Sequence, residues 1–164
     1  MSLRLVLFGM VTAAVVGAVY VLMAPLSETS KQAARQQALF SLAAPLLKDG
    51  DIAPTVNRTL PGDRPDSLAE TLAITPILRN NETRGVVIPL MTREGYSGDI
   101  HFLLALDVNQ TIVGFRVIEH RETPGLGDGI EHTKSDWIQQ FSGLRYTDLS
   151  PEDWAVTRDG GVFD

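Results

Sequence analysis

The chain has 164 residues, a net charge of −6 at pH 7 and no cysteine. A length of this order corresponds to one domain with small additions. The acidic balance argues against nucleic acid as a partner, because binding to a polyphosphate requires clustered positive charge. The lack of cysteine excludes disulfides, thiolate zinc sites and cysteine-ligated iron–sulfur clusters within this chain.

The first predicted element is an uncharged apolar run at residues 5–24. A membrane-spanning helix needs about 20 such residues. The alternative, a cleavable signal peptide, has a shorter apolar core of about 7–15 residues followed by small residues, a pattern that Pro25 and Leu26 do not fit. We therefore predict an uncleaved transmembrane anchor at residues 1–26 and a domain at residues 27–164, and the charges that flank the anchor do not decide on which side of the membrane this domain lies.

A helix is predicted next, over residues 29–47, which are rich in Ala, Gln and Leu. Apolar residues such as Leu42 recur there at near-helical spacing. Ser27 or Thr29 is suitable as an N-cap, and Pro45 should end or kink the helix. Residues 48–67 contain several Gly and Pro turn signals and are predicted to form a loop.

Three β-rich runs follow, at residues 84–92, 99–107 and 111–119, and short turns join them. This pattern predicts an antiparallel meander. Residues 134–141 are then predicted to form a short helix and residues 153–156 a final strand. The predicted fold class is α+β, with a twisted antiparallel sheet and packed helices behind the N-terminal transmembrane helix.

The last of these runs leads into the sequence ETPGLG at residues 122–127. Pro124 restricts the backbone there, and the two glycines permit conformations closed to other residues. Taken alone, Glu122 and Thr123 would more often cap their own loop than bind a ligand. A GYSGDI turn at residues 95–100 is the second motif.

Two further motifs complete the pattern, a Lys134-x-x-Trp137 spacing and the sequence DGGVFD at residues 159–164. Together the four motifs resemble the FMN-binding domain of the G subunit of the Rnf electron-transport complex. The C subunit of the sodium-pumping NADH:quinone reductase is a related alternative. In that family DGG-x-FD runs into a motif of the type TGATxTS, in which a threonine carries FMN through a phosphoester. The attachment residue is therefore expected beyond Asp164.

The resemblance implies an FMN site in which several residues contact the cofactor: Tyr96, Glu122, Thr123, Gly125, Leu126, Gly127, Lys134, Gly160 and Gly161. Leu126 would pack on the isoalloxazine ring, and the loop glycines would let backbone amides approach it. Lys134 would meet flavin oxygens, unless it is a solvated lysine. Gly160 and Gly161 would present amides to a phosphate.

The function implied by the resemblance is a membrane-anchored flavoprotein subunit that relays electrons through FMN in the Rnf ion-translocating ferredoxin:NAD oxidoreductase. It needs no catalytic acid or base. Its partners would be the other membrane subunits and a flavin transferase, and its domain would lie on the periplasmic side of the bacterial inner membrane. Two alternatives remain: a cofactor-free extracytoplasmic interaction module, and a secreted small-ligand domain if the anchor is cleaved.

No metal site is predicted, because the three histidines, His101, His120 and His132, lack the spacing of metal ligands.

Overall fold

The computed structural model describes residues 3–47, 51–52, 56–60 and 70–164. The chain divides into two compact units, Met1–Gln37 and Ala38–Asp164. A single α-helix, α1, spans Leu3–Leu47 and contributes to both. The helix predicted at residues 29–47 is therefore the C-terminal part of a longer helix, and an N-cap at Ser27 or Thr29 is wrong because the preceding residues are already helical.

Membrane crossing is not confirmed by this structure. Among the residues it describes, no helix is both long enough and apolar enough to span a bilayer. The anchor at residues 1–26, and the domain boundary that follows it, stay predictions from the sequence.

Four long antiparallel strands make up most of the sheet and lie side by side in chain order: β3 (Glu70–Arg79), β4 (Glu82–Gly95), β5 (Gly98–Asp107) and β6 (Ile112–Glu119). Two short strands, β1 (Asp51–Ile52) and β2 (Val56–Leu60), both pair antiparallel with β3. The α+β class and the three-strand meander are thus confirmed.

The first three strands depart from the sequence prediction. β1 and β2 fall in the segment predicted to be a loop, whose other residues all lie outside the described ones, and β3 was not predicted. Pro76 explains part of the miss, because a proline within a run is a signal against a ladder strand. In the structure Pro76 nevertheless pairs with Val86 of β4.

After β6 the described chain forms only short 3-10 helices: Asp128–Ile130, Trp137–Phe141, Tyr146–Asp148 and Thr157–Asp159. The short helix predicted at residues 134–141 is confirmed only over Trp137–Phe141, where it is a 3-10 helix, and its predicted start at Lys134 is wrong. The hydroxyl of Ser135 accepts the Trp137 N–H at 3.1 Å and donates to the carbonyl of Gly129, so local side-chain bonds compete with an α-helical start. The final strand is also wrong, since only an isolated parallel bridge joins Val156 to Phe163.

The core lies between the C-terminal end of α1 and one face of the sheet. Leu42 and Ala43 are buried there against residues of β3, β4 and β5, namely Ile77, Val87, Leu103 and Ala105. Ala38 and Leu46 pack against the same cluster, which confirms the apolar spacing predicted for Ala38, Leu42 and Leu46, whereas Ala34, the first residue of that predicted series, is exposed.

Truncating the buried helix residue should therefore destabilise the domain. Leu42→Ala removes a side chain that is 3% exposed and should lower the free energy of unfolding by about 2–5 kcal/mol. Phe40→Ala is the matched control, because Phe40 lies on the same helix and is 51% exposed. Urea denaturation of the full chain measures both, and equal losses would contradict this assignment of the core.

Candidate functional site

The β4–β5 hairpin ends in a two-residue turn. Gly95 pairs with Gly98, which leaves Tyr96 and Ser97 at the tip. Gly98 has φ +127°, a backbone angle that favours glycine. The turn predicted from the GYSGDI motif is thus confirmed, and it displays Tyr96, which is 97% exposed.

The ETPGLG loop uses its own backbone amides to hold its shape. The N–H groups of Leu126 and Gly127 both donate to the carbonyl of Thr123, at 3.0 and 2.9 Å. The Gly125 N–H donates to Oδ1 of Asp128 at 2.8 Å. These amides therefore bond within the loop, and the flavin contacts of Gly125 and Gly127 stay predictions. What the loop presents instead is the side chain of Leu126, which is 87% exposed.

Asp128 closes this loop and was not among the residues predicted from the sequence. Its carboxylate is buried, and Oδ2 lies 3.3 Å from Nζ of Lys134. The hydrogen bond from Gly125 lowers the pKa of Asp128, and Lys134 lowers it further against the opposing effect of desolvation. The only sequence signal was the frequent use of Asp to close turns through its own side chain. Lys134, with a side chain that is 52% exposed, is thus an ion-pair partner.

Glu122 joins the loop to the hairpin turn. Its Oε1 accepts the Ser97 N–H at 3.0 Å, although the two residues are 25 positions apart. The Glu122 N–H donates to Nδ1 of His120 at 3.1 Å, and Nε2 of His120 lies 3.2 Å from Glu131. Because Nδ1 accepts, the ring hydrogen of a neutral His120 lies on Nε2. Two motifs that the sequence keeps apart therefore form one connected unit.

The DGG segment, residues 159–161, forms its backbone hydrogen bonds away from the ETPGLG loop. The Gly160 N–H donates to Thr157 and the Gly161 N–H to Val156, at 3.2 and 3.0 Å. A Cβ on Gly161 would overlap the backbone of Ala155. The amides of both glycines thus bond to residues 156–157 rather than to the loop, and their contact with a phosphate stays a prediction.

Phe163 anchors this C-terminal segment. It is 5% exposed, and its ring lies 4.5 Å from that of Phe141 and 5.4 Å from that of Trp154, centroid to centroid. Phe141 also meets Trp137 edge to face, with the ring centroids 5.1 Å apart. The segment before Asp164 is therefore held by aromatic packing.

A cleft of about 210 Å³ adjoins the hairpin turn and was not predicted. Its walls carry charges of both signs and are formed by Gly98, Asp99, His101, Glu119 and Arg121. His101 and Glu119 face each other across β5 and β6. Sequence reasoning treated each of these residues separately, because only the strand register brings them together.

Comparison with known proteins agrees with this site. Residues 95–160 match the family described as the FMN-binding domain, a range that starts at the hairpin turn and ends in the DGG segment. The turn and the loop thus both lie in a part of the chain that is similar to FMN-binding domains.

Several curated relatives are named as the G subunit of an ion-translocating oxidoreductase complex. The protein of Cereibacter sphaeroides is 51% identical over 86 residues, which is 50% of this chain and 39% of that protein. The protein of Salmonella typhi is 45% identical over 86 residues, 52% of this chain and 42% of the relative. The protein of Vibrio cholerae is 32% identical over 163 residues, 99% of this chain and 77% of the relative. The chain belongs to this Rnf-type family of G subunits, although the match spans less than half the length of the first two relatives.

The Asp128 carboxylate should make stability depend on pH in a defined window. Its pKa is lower in the folded chain than the ordinary 3.8, so it stabilises the fold above that value and loses this effect as the pH falls through the folded pKa. Asp128→Asn keeps an acceptor for Gly125 but lacks the charge. The stability difference between the wild type and Asp128→Asn should be constant from about pH 7 to 5 and shrink below about pH 4.

Urea denaturation at each pH measures this difference. Asp128→Ala, which also loses the acceptor, should be less stable than Asp128→Asn at every pH above about 5. A wild-type advantage that stays unchanged down to about pH 3 would show that the charge of Asp128 does not support the loop.

Proposed function

We propose that the chain is a flavoprotein subunit that binds FMN beside the hairpin turn and the ETPGLG loop and relays electrons within the Rnf ion-translocating oxidoreductase. One observation carries the proposal. Tyr96 and Leu126 are exposed apolar side chains on two segments that Glu122 links by a hydrogen bond, and both lie in the range that matches the FMN-binding domain.

The residues present fit a flavin through side chains rather than through backbone amides. An exposed leucine and an exposed tyrosine offer apolar surface to a flat ring, and such surface normally lines cofactor sites. Thr123 is exposed beside them, and Lys134 supplies a cation suited to flavin carbonyl or phosphate oxygens. FMN supplies the redox chemistry when bound, and the protein holds and orients it.

The proposal includes covalent attachment through a threonine beyond Asp164. The support is the way in which the last described residues are held. Phe163 is buried among aromatic rings, and the Asp164 N–H donates to Oε1 of Gln140 at 3.2 Å. Residues that follow would start from a fixed point.

Membrane anchoring is part of the same proposal. Residues 5–24 carry no charge, and the apolar side chains that the structure describes on this part of α1 are largely exposed, for example Phe8 at 72% and Tyr20 at 75%. A bilayer would cover such a surface. We place the rest of the chain on the periplasmic side of the bacterial inner membrane, with the other Rnf membrane subunits and a flavin transferase as partners and ferredoxin and NAD as the terminal reactants of the complex.

The proposal predicts a flavin-carrying membrane protein. The coding sequence past Asp164 should contain a TGAT-type motif within about 15 residues, the reach of a short connection. Protein with this natural continuation, made in a host with flavin transferase, should remain in membranes after alkaline washing. It should also give a flavin-fluorescent band on a denaturing gel. Replacing the motif threonine by valine is the control and should abolish the band.

If the protein stays in the washed membranes but carries no flavin, the second candidate, a cofactor-free interaction module, is favoured instead. The exposed Tyr96 and Leu126 suit a protein surface as well as a ring. Loss of the protein to the alkaline wash would contradict the anchor.

A charge at the loop tip should affect the flavin more than the fold. Leu126→Asp, in the flavin-loaded protein, should lower the flavin midpoint potential by roughly tens of millivolts, because a nearby carboxylate opposes added negative charge. Stability should change by no more than about 0.5 kcal/mol, since Leu126 is 87% exposed.

Val108→Asp is the matched control for this prediction. Val108 is 60% exposed and follows the far end of β5, about 30 Å from the turn at a rise near 3.4 Å per residue. It should leave the potential unchanged. Redox titration and thermal unfolding measure both variants, and an equal shift in the two would rule out a flavin beside Leu126.

A further inference from the structure

We infer that Glu122 is a positioning residue, whose side chain fills the space between the hairpin turn and the ETPGLG loop and thereby fixes Tyr96 relative to Leu126. The inference gives Glu122 a role different from a direct contact with flavin atoms. We call this contact of the Glu122 side chain with both the turn and the loop the brace. Its consequence for the flavin rests on the proposed function, whereas the brace itself does not.

The space around the Glu122 side chain is the first argument. A Cβ placed on Gly95 would overlap the carbonyl of Gly98 and would also lie 2.9 Å from Glu122 Oε1. A Cβ placed on Gly127 would lie 2.8 Å from Glu122 Cβ and 2.9 Å from Oε2. Such separations are shorter than normal contacts between heavy atoms, about 3.5–4.0 Å for carbon pairs. The turn and the loop thus each carry a glycine where the Glu122 side chain passes.

Gly125 and Gly127 are glycines for different physical reasons. Gly127 has φ −110° and ψ −5°, a conformation open to other residues, so its glycine is explained by space. Gly125 has φ +79°, and a Cβ placed on it would meet nothing within 4 Å, so its glycine is explained by the backbone angle. This contrast allows the brace to be tested against a control in the same loop.

Hydrogen bonds hold Glu122 at both ends. Its carboxylate accepts the Ser97 N–H, a bond strengthened by the charge, and its own N–H donates to His120. His120 in turn contacts Glu131. The side chain is therefore held where it lies, between the segments that carry Tyr96 and Leu126.

A fixed carboxylate at this point has an electrostatic consequence. Beside a bound flavin it disfavours added negative charge and so holds the midpoint potential down. Glu122→Gln keeps an oxygen that can accept the Ser97 N–H but removes the charge. It should raise the potential while leaving the turn and the loop joined.

A double-mutant cycle on the full chain tests the brace without any flavin. Gly127→Ala should lower the thermal midpoint by about 5 °C or more, because a new methyl group meets Glu122. In a Glu122→Gly background, where the obstructing atoms are gone, most of that loss should disappear. Gly125→Ala is the control, and its loss should be the same in both backgrounds because it arises from the backbone. Equal losses for Gly127→Ala in both backgrounds would overturn the inference.

Two further measurements, amide exchange and redox titration, distinguish a hydrogen-bonded carboxylate from a side chain that only fills space. Glu122→Ala should speed exchange of the Ser97 amide about tenfold or more, given the strength of a hydrogen bond to a charged acceptor, whereas Glu122→Gln should speed it less. Unchanged exchange in Glu122→Ala would also overturn the brace.

In the flavin-loaded protein Glu122→Gln should raise the midpoint potential, and Glu94→Gln, which removes an exposed carboxylate next to Gly95, should raise it less. A raised potential supports a braced carboxylate beside the flavin. If the cycle is non-additive but the potentials of both variants equal that of the wild type, the brace stands and the placement of the flavin in the proposed function fails.

Discussion

The close approach of α1 to the sheet is the constraint on which the arrangement of the second unit depends. Two strand glycines permit it. A Cβ on Gly114 would lie 2.8 Å from Cδ2 of Leu42, and one on Gly85 would lie 2.6 Å from Cδ1 of Leu46. Ala105 lies opposite Gly114 on the neighbouring strand, so two small residues lie side by side there. Packing at this density leaves little freedom for the helix end or for the strands beneath it.

With the sheet fixed, antiparallel order determines where the site forms. β4 ends at Gly95, β5 begins at Gly98 and β6 ends at Glu119, so these three residues lie at the same end of the sheet. The hairpin turn and the loop that follows β6 therefore emerge side by side. Because they lie side by side, the hydrogen bond from the Ser97 N–H to Glu122 can join them without any movement of the strands.

Carboxylates do much of the loop closure in this acidic chain. Glu122 accepts from Ser97, Asp128 accepts from Gly125, and Oδ1 of Asp107 accepts the N–H groups of two residues in the β5–β6 turn at 2.8 Å. In each case a side-chain oxygen satisfies backbone donors that a loop leaves unpaired. Some of the acidic residues thus stabilise loops of the fold. The acidic composition by itself therefore does not indicate which ligand the chain binds.

The sequence by itself determined the family, the α+β class, the three-strand meander and the residues of the turn and the loop. These rest on local signals: alternating apolar residues, Gly and Pro at turns, and short motifs. Tertiary structure alone decided that Asp128 closes the loop, that Glu122 reaches Ser97, and that the amides of Gly125, Gly160 and Gly161 are already bonded. The reason is physical: a hydrogen bond such as that of Glu122 spans 25 positions along the chain, and which donor a carboxylate meets depends on strand register, which the strand patterns did not specify.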